Sequence, residues 1–275
     1  MRFVLQLVAV VAVSFGAGQA VGLADGNVWL SLVVGVAAAA IAVLVYYAVV
    51  RATEKREVTE VAGRTAASGL LRGALLGIVL FAAVIGNIAV NGGYRITGLG
   101  ADPVNAVGLA GFMAAAATTE ELLFRGVLFR HLERVTGTWL ALVLSACAFG
   151  GVHLLNQDAT LWGALCVAIA GGGMLTAAYI AGRGLWLPIG LHFGWNWAQS
   201  AIFGAEVSGN GAQQGLLASE SAGNAWISGG RFGPEASVYT VAAGVLVTAA
   251  FLWLARRRGH LVPMRRADRT LTLAR

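Results

Sequence analysis

The sequence predicts an all-α polytopic membrane bundle of about eight transmembrane helices with both termini cytoplasmic, and three observations predict it. First, 58% of the 275 residues are hydrophobic and 12% are charged, with a mean hydropathy of +0.75. Water-soluble domains carry about twice that charge fraction, and a disordered chain needs high charge with low hydrophobicity. Second, the apolar residues collect in runs of about 20, the helix length that crosses ~30 Å of hydrocarbon. These runs do not alternate, so in lipid their backbone polar groups are satisfied by helix and not by a barrel. Third, the basic residues are distributed unevenly among the connections between the runs.

In chain order the runs are 3–23, 28–50, 70–90, 103–129, 138–155, 160–181, 185–203 and 238–254. Trp29, Trp139, Trp162 and Trp186 stand near helix starts and Trp253 near an end, where an amphipathic ring prefers the interface. Arg2 and the small residues Gly18-Gln19-Ala20 also suit a cleavable signal peptide. The apolar stretch continues to Leu23, however, and an uncleaved first helix satisfies the topology, so this helix is expected to be retained. Neither end carries a lipidation motif.

With the N-terminus inside, 16 of the 19 basic residues fall on the cytoplasmic side. They are Arg2, the group from Arg51 to Arg72, Arg130, Arg134, Arg183 and seven arginines from Arg256 onward. Only Arg95 and Arg231 fall outside, and Arg125 stays within a span. This is the bias of the positive-inside rule. The net charge of +6 and the pI of about 10.0 are therefore topology signals that also bring the tail to anionic lipid, and no nucleic-acid partner is implied. An integral protein of a bacterial cell membrane is expected.

The chain divides into N-terminal helices with a charged cytoplasmic loop at 51–69 (1–100), a core of four helices (101–204), a Gly-rich extracytoplasmic loop (205–235), a last helix (236–255) and a basic tail (256–275). The polar stretch 204–235 is expected to be a flexible linker, and 51–64, with its mixed charges, a solvated helix end. Gly171-Gly172-Gly173 and the pair Gly190 and Gly194 suit close helix approach in lipid. The two cysteines, Cys147 and Cys166, form neither a disulfide framework nor a zinc ribbon.

Five ionisable groups remain inside the spans: Glu120, Glu121, Arg125, His153 and His192. A charge at mid-membrane costs upwards of about 2.5 kcal/mol, so each such residue points to function. Glu121 and Arg125, four apart, share a helix face and can pair. Glu120 is turned about 100° away and stays free to act as a base. Phe149 and His153 share a face at the same spacing, as do His192 and Asn196. At 1.5 Å per residue, Glu120, His153 and His192 lie roughly 20, 24 and 10 Å from the inner ends of their spans. That is compatible with one polar cluster between the midplane and the cytoplasmic side. Singly, each residue has a structural reading as an interhelical hydrogen bond, an ion pair or packing, but their joint occurrence is hard to obtain from packing needs.

Glu120-Glu121-x-x-x-Arg125, Phe149-x-x-x-His153 and His192-x-x-x-Asn196 together resemble the CAAX protease and bacteriocin-processing (CPBP, or Abi) family of intramembrane endopeptidases. The resemblance covers about 104–203. It implies peptide-bond hydrolysis in a polar cavity, acting on a membrane-associated peptide or protein substrate. Glu120 would be the general base, His153 would hold or activate the water, and His192 and Asn196 would stabilise the oxyanion. Glu121 and Arg125 would orient the first carboxylate. A zinc-dependent version, with Glu120, His153 and His192 as ligands, stays open.

Other protease chemistries match less well. There is no His-Glu-x-x-His, and Asp102 follows Gly98-Leu99-Gly100-Ala101 one residue late for an intramembrane aspartyl motif. No serine occupies a Gly-x-Ser-Gly site. A proton-coupled transporter using the same carboxylates and histidines and a non-catalytic scaffold or immunity protein are the readings from other classes. The absence of an obvious internal duplication disfavours the transporter.

Overall fold

The computed structural model describes residues 1–100, 103–211 and 215–264. Asp102 and most of the basic tail, from Arg265 on, lie outside the described residues. The chain is helical nearly throughout: α1 (Arg2–Leu23), α2 (Val28–Glu54), α3 (Ala66–Val90), α4 (Asn105–Glu121), α5 (Arg130–Val152), α6 (Leu161–Val167), α7 (Met174–Gly182), α8 (Trp186–Trp197), the short α9 (Ala225–Ser228) and α10 (Val238–Arg257). Among the described residues six helices are long and apolar enough to cross a membrane. The sequence divides the same chain into eight runs. Asn105–Leu155 is continuous as a helix but breaks at Gly137, whose φ of 77° and ψ of 171° are open essentially to glycine alone. The α8 run has 12 α-helical and 5 π-helical residues and is shorter than the other spans.

The α6–α7 unit forms the centre: 83% of its apolar window is buried, against 17–33% in the other five. α5 and α10 pack on it, α3 packs on α8, and α1 and α2 pack with α4. The outer faces carry exposed Val8, Phe15, Val33, Leu44, Leu71, Val79 and Leu246, the surface a bilayer covers. Trp29, Trp139 and Trp253 are exposed near helix ends as expected. Trp162 and Trp186 instead turn inward, donating to Ala236 O at 2.8 Å and Ala62 O at 3.0 Å. The α3–α8 contact is backbone on backbone. A Cβ at Gly73 would overlap Leu187 O, and one at Gly194 would overlap Ala74 O. Glycine at these points lets two helices meet without side chains between them, and it fixes how α8 presents His192 and Asn196.

Two connections differ from the sequence expectation. Within 204–235 the described parts, 204–211 and 215–235, are not a flexible linker: β2 (Leu217–Ser221) pairs antiparallel with β1 (Tyr94–Leu99), and Phe232, Glu235 and the following Ala236 are buried. Tyr94 Oη donates to Phe203 O at 2.6 Å, tying this cap to the end of α8. Its long-range pairing leaves no local periodicity to read. Nor are the charges of 51–64 all solvated. α2 continues to Glu54, and the Glu54 and Glu60 side chains are each only 4% exposed. Glu54 accepts from Gln6 (2.9 Å), Arg56 (2.7 Å), Arg130 (2.6 Å) and Arg134 (2.8 Å), which reach it from α1, the loop and α5.

Candidate active site

Three of the site helices loosen into π-helix next to the motif residues: Leu122–Phe129 after Glu121, Ala168–Gly173 between α6 and α7, and Ala198–Ile202 after Asn196. π-Helical turns concentrate at functional sites because their wider register frees backbone groups from the i→i+4 ladder. That freedom is used here. Arg125 Nη2 donates to Gly171 O at 3.1 Å and Gly172 O at 3.3 Å, and its Nε to Thr176 Oγ1 at 3.2 Å. The glycine run expected only to allow close packing thus also supplies carbonyls to a buried guanidinium. Phe149 stacks beneath it, with Arg125 Cζ 4.5 Å from the ring centroid.

Glu121 and Arg125, both fully buried, pair at 2.6 Å, as the spacing predicts. Glu121 Oε1 also accepts from His192 Nδ1 at 3.0 Å. A carboxylate only accepts, so Nδ1 carries the proton, and Nε2 is the nitrogen left to address other groups. Nε2 lies 3.9 Å from Glu120 Oε2, beyond direct hydrogen bonding. Glu120 is bound by no arginine, its side chain is 36% exposed, and its Oε2 has no hydrogen-bond partner among the described residues, like Glu121 Oε2. The two adjacent carboxylates therefore stand in different environments, one committed and one open.

His153 Nδ1 must likewise donate, since its partner at 2.7 Å is the Phe149 carbonyl, and Nε2 is again the uncommitted nitrogen. Phe149 lies between the two imidazoles, with ring centroids 5.0 Å from His153 and 6.0 Å from His192. His192 and Asn196 line a cavity with about 30 Å³ open to a water-sized molecule, together with Glu235 and Thr240. The sequence expectation is one polar cluster between the midplane and the cytoplasmic side. The structure extends it toward the cap, because Glu235 belongs to the 204–235 segment and Thr240 to the first turns of α10. Thr176 and Glu235 were not singled out by the sequence. A threonine inside an apolar run gave a weak signal, and Glu235 looked like the end of a polar linker.

The zinc-ligand reading needs Glu120, His153 and His192 around one point. Among the described residues no three His, Cys, Asp or Glu side chains are grouped to hold a metal ion. His192 donates Nδ1–H to Glu121 and keeps Nε2 free 3.9 Å from Glu120 Oε2, an arrangement that an imidazole ligand also adopts, so what the zinc reading lacks is the third side chain grouped with these two. Among the described residues the full three-ligand set is therefore not assembled around one point.

A membrane-type helical bundle whose interior gathers two carboxylates, an arginine, two imidazoles and an amide has the makings of an intramembrane hydrolase. Residues 102–198 match the family model described as Type II CAAX prenyl endopeptidase Rce1-like, a segment that contains every motif residue from Glu120 to Asn196. The match bears out the resemblance to the CAAX proteases and supports an intramembrane protease. No curated protein and no solved structure matches the chain.

Proposed function

We propose that the protein is an intramembrane endopeptidase that cleaves membrane-associated peptides or proteins, in CAAX-type processing or a related reaction, with Glu120 as general base. The observation that carries this reading is the split between the carboxylates. Arg125 and His192 both bind Glu121, while Glu120 keeps an unpartnered oxygen 3.9 Å from His192 Nε2. Glu120 takes a proton from the attacking water, whose oxygen adds to the scissile carbonyl carbon. The same proton passes to the leaving nitrogen as the C–N bond breaks. The oxyanion meets Asn196 Nδ2 and His192 Nε2. The imidazole donates there in its doubly protonated form, a cation flanked by two carboxylates. Such donors, preset in a water-poor site, are worth several kcal/mol. His153, with Nδ1 anchored, presents Nε2 to the water. Glu121 and Arg125 hold the ring of His192 in place.

The same reading has eight crossings, both termini cytoplasmic and the 204–235 cap outside. Mass spectrometry of membrane-anchored peptides incubated with purified wild-type and Glu120→Ala protein tests the chemistry. Products are expected with wild type alone, and equal cleavage by a folded Glu120→Ala protein overturns the assignment. Cysteine labelling at 204–235 tests the topology: reaction with an impermeant reagent added to the outside of sealed cells supports it, and reaction only from the cytoplasmic face overturns it.

A further inference from the structure

The cap contributes a carboxyl to the reaction chamber from outside the segment that matches the protease family. Glu235 is 9% exposed and lines the small cavity alongside His192 and Asn196. Its Oε2 accepts two hydrogen bonds from Ser208, from the backbone N at 2.5 Å and from Oγ at 2.7 Å. Ser208 is a hub held in a costly conformation: its φ of 51° is left-handed, rare for a residue with a side chain. Its carbonyl accepts from Asn156 Nδ2 at 2.6 Å, which joins the cap to the turn that bears His153. Gln199, just beyond Asn196, accepts from Trp195 Nε1 at 3.1 Å and donates to Glu206 O of the cap at 2.5 Å. One network therefore ties Glu235 to the His153 turn and ties the cap to the helix carrying His192 and Asn196.

A site holds an ordered water when it offers room for one and two to four polar partners. The cavity of about 30 Å³ has the room, and His192, Asn196, Glu235 and Thr240 supply the polar lining. We propose that Glu235, set by Ser208, is a further positioning residue of the hydrolytic site, accepting a hydrogen bond from a water held beside the His192–Asn196 oxyanion pair. Burial pushes its carboxyl above the ordinary value of 4.5, and His153 is among the charges acting on it in the opposite sense, which agrees with its facing the chamber.

The inference rests on the protease reading, and the test separates the two. Steady-state cleavage of a membrane-anchored peptide is measured for wild type, Glu120→Ala, Glu235→Gln, Glu235→Ala and Ser208→Ala, with Tm recorded for each. Glu235→Gln keeps an oxygen for Ser208 but turns an N–H donor toward the cavity in place of an acceptor. It is expected to lower kcat about tenfold or more with KM within about twofold and Tm unchanged. Ser208→Ala is expected to lower kcat less, in the same direction. Wild-type kcat in Glu235→Gln overturns the proposal while leaving the protease reading in place. So does a loss confined to Glu235→Ala that tracks a fall in Tm, which marks packing alone. A wild-type protein that cleaves nothing overturns both.

Discussion

Two buried charge networks flank the π-helical segment Leu122–Phe129, and they are built to opposite rules. On one side Arg130, Glu54, Glu60, Arg56, Gln6 and Tyr46 form a closed set. Arg130 donates to Gly126 O at 2.7 Å and Gln6 Oε1 at 3.0 Å, Arg56 reaches both oxygens of Glu60, and the Tyr46 hydroxyl lies 2.8 Å from Glu60 Oε1. On the other side Glu120, Glu121, Arg125 and His192 leave capacity unused. Glu120 Oε2 and Glu121 Oε2 have no hydrogen-bond partner among the described residues, and His192 Nε2 is committed to nothing nearer than 3.9 Å. Burying charge is costly unless every group is paired. A network that fills its bonds serves the fold, and one that leaves a carboxylate and an imidazole open has groups to offer a substrate.

The contrast is sharpest at Glu120. Glu120→Ala should abolish cleavage, a fall of about 10²–10⁴ in kcat for loss of a general base, while Tm does not fall, because the buried Oε2 has no hydrogen-bond partner among the described residues whose loss would destabilise the fold. A large fall in Tm would move Glu120 into the structural class. Arg130→Met should do the reverse: it removes one of the three arginines on Glu54 together with the bonds of Arg130 to Gly126 O and Gln6, and is expected to cost up to about 3 kcal/mol of stability, read as a lowered Tm, with kcat per folded molecule unchanged. Altered kcat at full Tm would break the division.

Asn196→Ala should lower kcat about 10²–10³-fold, as removal of one oxyanion donor does, with KM little changed. An effect on KM alone would make Asn196 a binding group. The smallest effect is expected in the cap. Burial raises the carboxyls of Glu206 and Glu235 above their ordinary 4.5. A raised carboxyl pKa means that the fold favours the protonated form, so this contribution is full below 4.5 and is lost as pH rises through the folded values. Hydrogen exchange within 204–211 and 215–235 should therefore quicken as pH is raised from 4.5, beyond the intrinsic pH dependence of exchange. Protection that grows over that range would contradict it.

Much of the fold was legible because lipid imposes a simple code. Apolar runs of a fixed length become helices, and all eight expected runs fall on helical stretches, even where a glycine kink rather than a loop divides two of them. The ion pair of Glu121 with Arg125 was legible because four residues bring side chains to one face. The cap was not legible. Strand pairing such as Tyr94 with Ser221 joins segments far apart in sequence, and a Gly- and Ser-rich stretch reads as linker until its partner is known. The closed network around Glu54 was missed for the same reason, since its arginines and Gln6 come from three separate elements.

The sequence by itself determined an all-α membrane bundle, the chemical inventory of its interior and the three motifs that carry the CAAX-protease resemblance, because composition, run length and helical spacing are local properties. Only the tertiary structure decided which carboxylate is committed and which is open, which nitrogen of each histidine is free, and that Glu235 of the cap reaches the cavity of His192 and Asn196. Those are set by which backbones approach closely, as where Gly73 and Gly194 let α3 and α8 touch, and by where π-helical turns release carbonyls to Arg125. Such contacts exist only once distant segments have packed.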